Sequence, residues 1–322
     1  MLGRGIREGM RAAILKQYGK TPEVGEWDEP TAQDGQAAVE VLAAGMNPVD
    51  RLMATGSYPR GAPPVPSVVG REGIARLEDG TSTYFNSSIA PFGSFAERTL
   101  IDPERAFPLP AGLDPGLAVC FGIAGMAAWL ALEWRAKLRE GETVLVLGAS
   151  GVVGQIGVQA ARLLGAGRVV AAARNPEGLE RARELGADAV VKLDAEDDLP
   201  GALRDAAGGG GPDVIIDPLW GDPAQAAIAA AGEGARFVQI GSSAAQEISL
   251  AAPAFRNKML VLMGHTNFAV PPEVQRDAFT KMAAHGAKGE LVVDVERVAL
   301  DDAPDAWERQ ADSPRRKLVI VP

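Results

Sequence analysis

The stretch VLVLGASGVVGQIGVQAARLLGAGRVVAAARN, residues 144–175, decides the fold of this chain. An apolar strand (143–147) leads through three glycines into a segment (152–164) whose apolar residues recur at helical spacing. A second apolar strand (168–173) follows that helix. The sequence therefore predicts a strand–helix–strand unit whose first turn is built from small residues.

The turn itself is punctuated by Gly148, Gly151 and Gly154. Small residues at this place let the backbone approach a pyrophosphate and let the helix approach the strand. The exposed N–H groups and the dipole of the helix N-terminus then favour an anion. The alternative interpretation is a tight strand-to-helix turn without a ligand. We favour a dinucleotide site, and the residues that we expect to contact the cofactor here are Ser150, Gly151, Val152 and Val153.

The end of the second strand indicates which dinucleotide is bound. An acidic residue at this point would accept the ribose 2′-hydroxyl of NAD, but the strand ends in three alanines followed by Arg174 and Asn175. An arginine can pair bidentately with a 2′-phosphate, so the sequence predicts NADPH. The alternative for Arg174 is a solvated surface charge. Asn175 fits the turn into Pro176 and, as a further hypothesis, a contact with the cofactor.

The rest of the chain divides into two parts by its pattern of apolar residues, Pro and Gly. Residues 11–118 contain short extended runs broken by Pro and Gly, which indicates a β-rich unit. Beyond about residue 119, apolar strands alternate with helical patterns, which indicates a doubly wound parallel sheet. Its further strands are expected at 189–192, 213–216, 235–240 and 259–263, with helices near 177–185, 200–206 and 223–232. The tail adds a helix (273–284), a short strand LVVDV (291–295), a helix near 304–310 and a final strand KLVIVP.

Composition limits the classes of function. The chain has 322 residues, a formal net charge of −10 and a single cysteine. A strongly acidic balance argues against nucleic acid or an acidic membrane surface as a partner, and a lone cysteine suits a reducing compartment. No apolar run approaches a membrane span, and the expected location is the cytoplasm with a small-molecule substrate. Residues 1–9 are interpreted as a leader upstream of Met10.

Several ordered motifs resemble the medium-chain dehydrogenase/reductase superfamily, and specifically its zinc-independent, zeta-crystallin-like quinone oxidoreductase branch. They are AAGMNPVDRLMATGSYP (43–59), PSVVGREGIARL (66–77), GSFAERTLI (93–101), the GASGVVG turn and RARELGADAVV (181–191). The resemblance implies an α/β fold in which a Rossmann domain (119–267) is inserted into a GroES-like β-rich domain (1–118 and 268–322).

The resemblance also shows what this chain lacks. Zinc alcohol dehydrogenases of the superfamily have a Cys where this sequence has Asn47, and a His in a G-H-E motif where it has Arg71. Without Cys or His at these points, a tetrahedral zinc site of the usual kind cannot be assembled. We therefore expect no metal.

By family position, Asn47 is expected beside the nicotinamide, as a catalytic polar group and a cofactor contact. Its alternative is a turn residue before Pro48. Tyr58 is a candidate proton donor or a wall of the substrate pocket. Lys317 matches a basic position that contacts the pyrophosphate in relatives, and its alternative is a solvated charge.

Ligands of open α/β sheets bind outside the carboxyl ends of the strands, which nominates the segments after the later strands. We expect Gly241 and Ser242 to contact the nicotinamide half of the cofactor. DPLWG (217–221) is nominated by the same rule, and Trp220 is expected to pack rather than to stack on a substrate. His265 is expected to be hydrogen-bonded scaffold rather than a proton relay.

These observations predict an NADPH-dependent, metal-independent reductase of quinones or α,β-unsaturated carbonyls. One alternative is an enoyl reductase of acyl or polyketide-type substrates, and another is a non-catalytic NADPH-binding sensor or structural protein. The sixth strand, KMLVLMG (258–264), is an apolar sheet edge, which predicts a homodimer by strand pairing.

Overall fold

The computed structural model describes residues 9–59, 61–195 and 197–322. The chain forms two compact units. The first contains the residues up to Ile123 together with Phe279–Glu290 and Asp294–Pro322, and the second contains Ala124–Ala278 and Leu291–Val293. The division predicted from the sequence placed these changes after residues 118 and 267. The expected leader lies outside the described residues except for Gly9, where the first strand begins.

The first unit contains β1–β8, β15 and β16, and the second contains β9–β14. Their bounds are β1 (Gly9–Leu15), β2 (Glu23–Asp28), β3 (Ala37–Gly45), β4 (Ser67–Val68), β5 (Glu72–Arg76), β6 (Ser82–Phe85), β7 (Arg98–Ile101), β8 (Phe107–Pro108), β9 (Thr143–Leu147), β10 (Arg168–Ala173), β11 (Ala189–Lys192), β12 (Val214–Asp217), β13 (Arg236–Gln239), β14 (Val261–Gly264), β15 (Val295–Ala299) and β16 (Lys317–Val321).

Most of the helices belong to the second unit. The α-helices are α1 (Pro48–Met53), α2 (Pro115–Ala118), α3 (Ile123–Leu130), α4 (Val152–Leu163), α5 (Pro176–Glu184), α6 (Leu199–Ala206), α7 (Gly221–Ala230), α8 (Ala252–Arg256), α9 (Pro272–Ala287) and α10 (Ala303–Arg309). Short 3₁₀ turns cover Pro103–Arg105, Val119–Phe121, Asn267–Ala269, Leu300–Asp302 and Gln310–Asp312, and a π-helical turn covers Ala131–Ala136.

The first unit is built from two sheets. One has three strands in the order β2-β1-β4, and the other follows the path β15-β16-β3-β5-β6-β8, with β7 also paired to β3. Apart from the parallel pair β15–β16, these pairings are antiparallel. A core that includes Leu15, Phe95, Trp307 and Ile320 packs between elements from both ends of the chain. Pairing of β16 with β3 therefore joins the C-terminal strand to the N-terminal half of this unit.

The second unit contains a parallel sheet in the order β11-β10-β9-β12-β13-β14. In chain order within the unit this is 3-2-1-4-5-6, the doubly wound arrangement. Strands β9, β10 and β12 are buried along nearly their whole length because helices cover both faces of the sheet. The predicted fold class, a doubly wound sheet with a separate β-rich domain, is confirmed.

One predicted strand is absent from its predicted place. LVVDV was expected to be extended and paired, but β15 begins only at Val295. The backbone of Val292 instead bonds to a side chain of α4: Gln159 Nε2 donates to the Val292 carbonyl at 2.8 Å, and the Val292 N–H donates to Gln159 Oε1 at 3.0 Å. A side-chain amide here supplies the donor and acceptor that a neighbouring strand would supply.

The far end of the parallel sheet is an edge. Within the described ranges, β14 pairs with β13 alone, and its apolar residues Val261 and Leu262 are 45% and 39% exposed. As for membrane insertion, none of the described helices is by itself long and apolar enough to span a bilayer. The bent pair Pro115–Phe121 and Ile123–Ala136 meets the criteria of length and composition only as a pair.

Candidate active site

The three glycines of the turn between β9 and α4 have different reasons to be glycine. Gly148 has a φ of +64°, a conformation that side chains rarely adopt. A Cβ on Gly154 would lie 2.3 Å from the carbonyl oxygen of Gly148, so the helix could not start this close to the strand. Gly151 has an ordinary φ of −84°, and a Cβ there would meet only the Gly148 oxygen at 3.5 Å. Its bare Cα therefore leaves open space above the turn.

This open space lies at the beginning of a twelve-residue helix. Gly151 is the N-cap of α4 and has no capping side chain. Helix geometry leaves the N–H groups of the first turn, including those of Val152 and Val153, without intrahelical acceptors. Together with the helix dipole, these donors favour an anion. The residues Ser150–Val153 are half-buried, as a cradle open on one side requires.

The ends of β10 and β9 meet beside this turn. Arg174, the residue after β10, is exposed, and its guanidinium has no hydrogen-bond or ion-pair partner in the part of the chain that the structure describes. Asn175 caps α5 by accepting the Gly178 N–H at 2.7 Å. A Cβ on Gly178 would lie 2.3 Å from Cβ of Ser150, so the first turn of α5 touches the glycine turn. The structure thus places Ser150 against the first turn of α5, which directly follows Arg174 and Asn175 in the chain.

The segment after β13 lies at the same carboxyl edge of the sheet. The Gly241 N–H donates to the carbonyl of Asp217 at 3.2 Å, and the Gly241 carbonyl accepts from Gln239 at 2.8 Å. The Ser242 hydroxyl has a long contact of 3.4 Å with Gln246. At the end of β14, His265 Nε2 bonds to Asn267 at 3.1 Å, and burial lowers the pKa of His265. His265 is thus a hydrogen-bonded residue at a strand end, as expected from the sequence.

In the first unit, four side chains from distant parts of the sequence form a buried polar cluster. Lys317 Nζ donates to Asn47 Oδ1 at 2.7 Å and to Glu72 Oε1 at 2.9 Å. Asn47 Nδ2 donates to the same Glu72 oxygen at 2.8 Å and to the Gly45 carbonyl at 3.0 Å. The other Glu72 oxygen accepts the Tyr84 hydroxyl at 2.9 Å and the Ile123 N–H at 2.6 Å.

This placement of Lys317 and Asn47 differs from the expectation. Lys317 is 2% exposed, and its ammonium is bonded inside the first unit. Asn47 is 3% exposed, and both polar atoms of its amide are engaged by protein groups. In the structure both residues therefore stabilise a buried carboxylate. Their roles at the pyrophosphate and beside the nicotinamide stay predictions.

Asp50 in α1 and Tyr58 in the segment after it are two further candidate polar residues of the first unit. Asp50 accepts the Asn47 N–H at 2.8 Å, and burial raises the pKa of Asp50 to about 7. Tyr58 is half-buried, and its carbonyl accepts the Gly61 N–H at 2.9 Å. Within the described residues its hydroxyl makes no hydrogen bond, and its role as a proton donor stays a prediction.

Sequence reasoning missed the buried cluster as a unit. A carboxylate in the apolar run around β5 was the signal, because a buried Glu requires a cation or several donors. Nothing in the sequence indicated that the cation would be Lys317 or that Tyr84 would donate to the second oxygen. The Tyr84 ring stacks on Phe279 with centroids 4.6 Å apart, and burial together with Glu72 raises the pKa of Tyr84 well above its usual value.

Comparisons with known proteins agree with this architecture. A family model described as "Zinc-binding dehydrogenase" matches residues 152–283. The quinone oxidoreductase of Pongo abelii is 30% identical over 252 residues, which cover 74% of this chain and 75% of that protein. The chain belongs to the medium-chain dehydrogenase/reductase superfamily. It falls in the quinone oxidoreductase-like branch, and its first unit corresponds to the GroES-like domain and its second to the Rossmann domain of that fold.

Two further relatives of this medium-chain dehydrogenase/reductase bear on its chemistry. The solved quinone oxidoreductase from Thermus thermophilus, whose structures include a complex with NADPH, is 29% identical with a TM-score of 0.81 and covers 97% of this chain and 100% of that one. A phenolphthiocerol/phthiocerol polyketide synthase of Mycobacterium tuberculosis is 28% identical over 301 residues. The match covers 90% of this chain but only 14% of the synthase.

The zinc in the description of the family model does not fit the residues present. Asn47 and Arg71 supply neither thiolate nor imidazole, and the carboxylate of Glu72 is already paired with the Lys317 ammonium. Over residues 9–59, 61–195 and 197–322, no three His, Cys, Asp or Glu side chains converge in a manner that could hold a metal ion.

The contrast between Gly151 and Gly154 makes a testable prediction. Gly154→Ala should lower the free energy of unfolding by roughly 1–3 kcal/mol because the new Cβ meets backbone. Gly151→Ala should cost less than about 1 kcal/mol and yet weaken NADPH binding about tenfold or more, because its Cβ fills the approach to the pyrophosphate. Chemical denaturation and titration of NADPH measure the two effects. Unchanged affinity in Gly151→Ala would show that nothing binds above this turn.

The buried cluster makes a second prediction. Lys317→Met should lower the free energy of unfolding by about 3–5 kcal/mol, because it leaves the Glu72 carboxylate buried without its cation. The pair Glu72→Gln/Lys317→Met should recover much of this loss, since no charge is then left uncompensated. Both are measured by denaturation at neutral pH. A Lys317→Met protein of normal stability but weak NADPH binding would instead favour the predicted pyrophosphate contact.

Proposed function

We propose that this protein is an NADPH-dependent, metal-independent oxidoreductase that transfers hydride to a quinone or an α,β-unsaturated carbonyl. The observation that carries the proposal is the exposed, unpaired Arg174 beside the open cradle of the glycine turn, within the part of the chain that the structure describes. The quinone oxidoreductases among the relatives, one of them solved with NADPH, support the same cofactor and substrate class.

The residues present fit a phosphorylated dinucleotide. The cradle above Gly151 offers helix N–H donors to a pyrophosphate, and a Cβ would fill it. Arg174 would pair with the 2′-phosphate, and Ser150 and Asn175 lie on either side of the contact between the glycine turn and α5. Gly241 and Ser242, at the same edge, are the proposed contacts of the nicotinamide half.

When bound, the nicotinamide would supply a hydride to an electron-poor carbon of the substrate. The substrate oxygen then gains negative charge and needs a donor or a proton. Tyr58 is the proposed donor, because its hydroxyl is unbonded among the described residues whereas both polar atoms of the Asn47 amide are engaged. Asn47 is proposed to order the start of α1, because its N–H donates to Asp50 at 2.8 Å.

A second candidate is reduction of an enoyl group on an acyl or polyketide chain. The specific observation that favours it is the match to the polyketide synthase, which extends over 90% of this chain. Enones and enoyl thioesters share the same hydride chemistry, so the choice depends on which substrate the pocket accepts.

A substrate panel tests the proposal. Purified protein is assayed for oxidation of NADPH with ortho- and para-quinones, short enones and enoyl thioesters, and Tyr58→Phe serves as the matched variant. We expect turnover with quinones or enones and a lower kcat in Tyr58→Phe. Turnover with enoyl thioesters alone would favour the second candidate function, reduction of an enoyl group on an acyl or polyketide chain. Tight NADPH binding without turnover of any compound would favour a non-catalytic NADPH-binding protein.

The choice of cofactor gives a third prediction. NADPH should bind more tightly than NADH by roughly 1.5–3 kcal/mol if the phosphate pair is charge-assisted. Arg174→Ala should remove most of this preference and leave NADH affinity nearly unchanged. Arg183→Ala, which removes an exposed arginine paired with Glu180 on α5, is the control and should change neither affinity. Equal affinities of the unmutated protein for NADPH and NADH would contradict the proposed role of Arg174.

The exposed edge strand β14 gives a fourth prediction. We propose a homodimer in which β14 pairs antiparallel with β14 of a second copy, because an apolar edge offers unpaired backbone groups to another strand. Val261→Lys should convert the dimer to a monomer, whereas Ala284→Lys, at an exposed position of α9, should not. Sedimentation at micromolar concentration measures both. A monomeric unmutated protein would contradict the proposal.

A further inference from the structure

The loop that follows β12 contains an unusual backbone conformation. Trp220 has a φ of 60° and a ψ of −164°. Lys137 and Ser313 also have a positive φ, but their ψ values of 58° and 77° place them in the left-handed helical region. Trp220 lies outside that region, in a part of conformational space that is almost restricted to glycine. A bulky residue stays there only if its surroundings hold it.

The group that holds Trp220 is the carboxylate of Asp217. Asp217 is the last residue of β12 and is fully buried. Its Oδ1 accepts the N–H groups of Leu219 at 2.8 Å and of Trp220 at 3.0 Å, and its Oδ2 lies 3.2 Å from the Trp220 nitrogen. A carboxylate is suited to this task because it accepts at both oxygens and donates at neither. The Trp220 indole packs edge-on against Phe237, with ring centroids 6.3 Å apart.

The loop held in this way connects two parts of the candidate cofactor site. On one side, the Pro218 and Leu219 side chains lie 3.1 Å from the place where a Cβ of Gly148 would be. On the other side, the Pro218 carbonyl accepts the Ser243 N–H at 3.2 Å, and the Leu219 carbonyl accepts the Ala244 N–H at 2.8 Å. The loop that the Asp217 carboxylate holds therefore contacts both the glycine turn and the segment after β13.

We propose that Asp217 is a positioning residue whose buried carboxylate keeps Trp220 in a glycine-like conformation and thereby fixes the loop that shapes the nicotinamide end of the dinucleotide site. This inference rests on the proposed function, since it assigns the loop to cofactor binding. It gives Asp217 no contact with the cofactor itself. The carboxylate acts through the backbone of the residues that follow it.

A mutant cycle at positions 217 and 220 tests the proposal. Asp217→Ala should weaken NADPH binding about tenfold, because Trp220 then relaxes and the loop moves. Adding Trp220→Gly should restore the affinity to within about threefold of Trp220→Gly alone, since glycine adopts this conformation without help. Adding Trp220→Ala should not restore it. Glycine and alanine remove the same indole and differ in backbone freedom, so equal results with both would overturn the proposal.

Two controls separate positioning from general stability. Asp217→Asn keeps the Oδ1 acceptor and should retain most of the affinity. Asp213→Ala removes a carboxylate from the residue that precedes β12, where it accepts the Thr143 N–H at 2.8 Å, and should leave NADPH affinity unchanged. A loss of affinity in Asp213→Ala as large as that in Asp217→Ala would contradict the proposal. If Asp217→Ala does not fold, rescue of folding by Trp220→Gly but not by Trp220→Ala supports the proposal, and failure of both overturns it.

Hydrogen exchange of the ligand-free protein makes this test independent of the proposed function. In Asp217→Ala the amides of Leu219 and Trp220 should exchange faster because they lose their acceptor. The amides among residues 240–244 whose acceptors are carbonyls of residues 217–219 should also exchange faster and should return to the unmutated rate with Trp220→Gly. If the unmutated protein binds no NADPH, the proposed function fails, while these exchange rates still decide whether Asp217 holds the loop. Unchanged exchange in Asp217→Ala would overturn the role of the carboxylate.

Discussion

The close approach of α4 to the parallel sheet is the constraint on which the second unit depends. The helix begins so near β9 that a Cβ on Gly154 would collide with backbone, and one turn later a Cβ on Gly157 would lie 2.7 Å from Ile216. This proximity places the helix N-terminus directly at the carboxyl edge of the sheet. The free N–H groups of α4, the end of β10 with Arg174 and the loops after β12 and β13 then face the same edge. The site follows from the packing, because a helix set further out would carry its dipole away from the other strand ends.

In the first unit, by contrast, the charged groups of the buried cluster are paired with one another. Its buried carboxylate, Glu72, is compensated within the unit by an ammonium, an amide, a hydroxyl and a backbone N–H. Such a cluster gives little net stability, because desolvation of the ions offsets their attraction, but removal of one member leaves a buried charge unpaired. Lys317 supplies the positive charge at a place where metal-dependent members of the superfamily, by the resemblance of Asn47 and Arg71 to their ligand positions, would have zinc.

The sequence predicted what depends on local pattern. The strands of the parallel sheet and the helix after the glycine turn were predictable because apolar periodicity and small residues report on neighbours close in the chain. The bond between Gln159 and Val292 and the pair of Glu72 with Lys317 join residues 133 and 245 positions apart, and no local pattern encodes them. For this reason LVVDV was wrongly predicted as a strand, and the ion pair of Lys317 with Glu72 was not predicted. The conformation of Trp220 was equally hidden, since a tryptophan gives no sign of a glycine-like backbone.

The strained backbone of Trp220 restricts the conformations of the loop after β12. A backbone held in a costly conformation by three contacts to one carboxylate has few alternatives nearby, so the loop is ordered before any ligand arrives. Main-chain bonds carry this order to residues 240–244. The two halves of the site are then placed by the protein fold, and no binding energy of the ligand is needed to arrange them.

The carboxyl of Asp217 also makes stability depend on pH. Burial raises its pKa to about 6 from an ordinary 3.8, so the protonated carboxyl stabilises the folded state more than the ionised one does. Its contribution to stability declines as the pH rises from about 4 to about 6 and is constant above that range, where the ionised carboxylate holds the loop. Burial of the ionised Asp217 carboxylate therefore lowers stability at neutral pH, as expected where a buried charge serves binding.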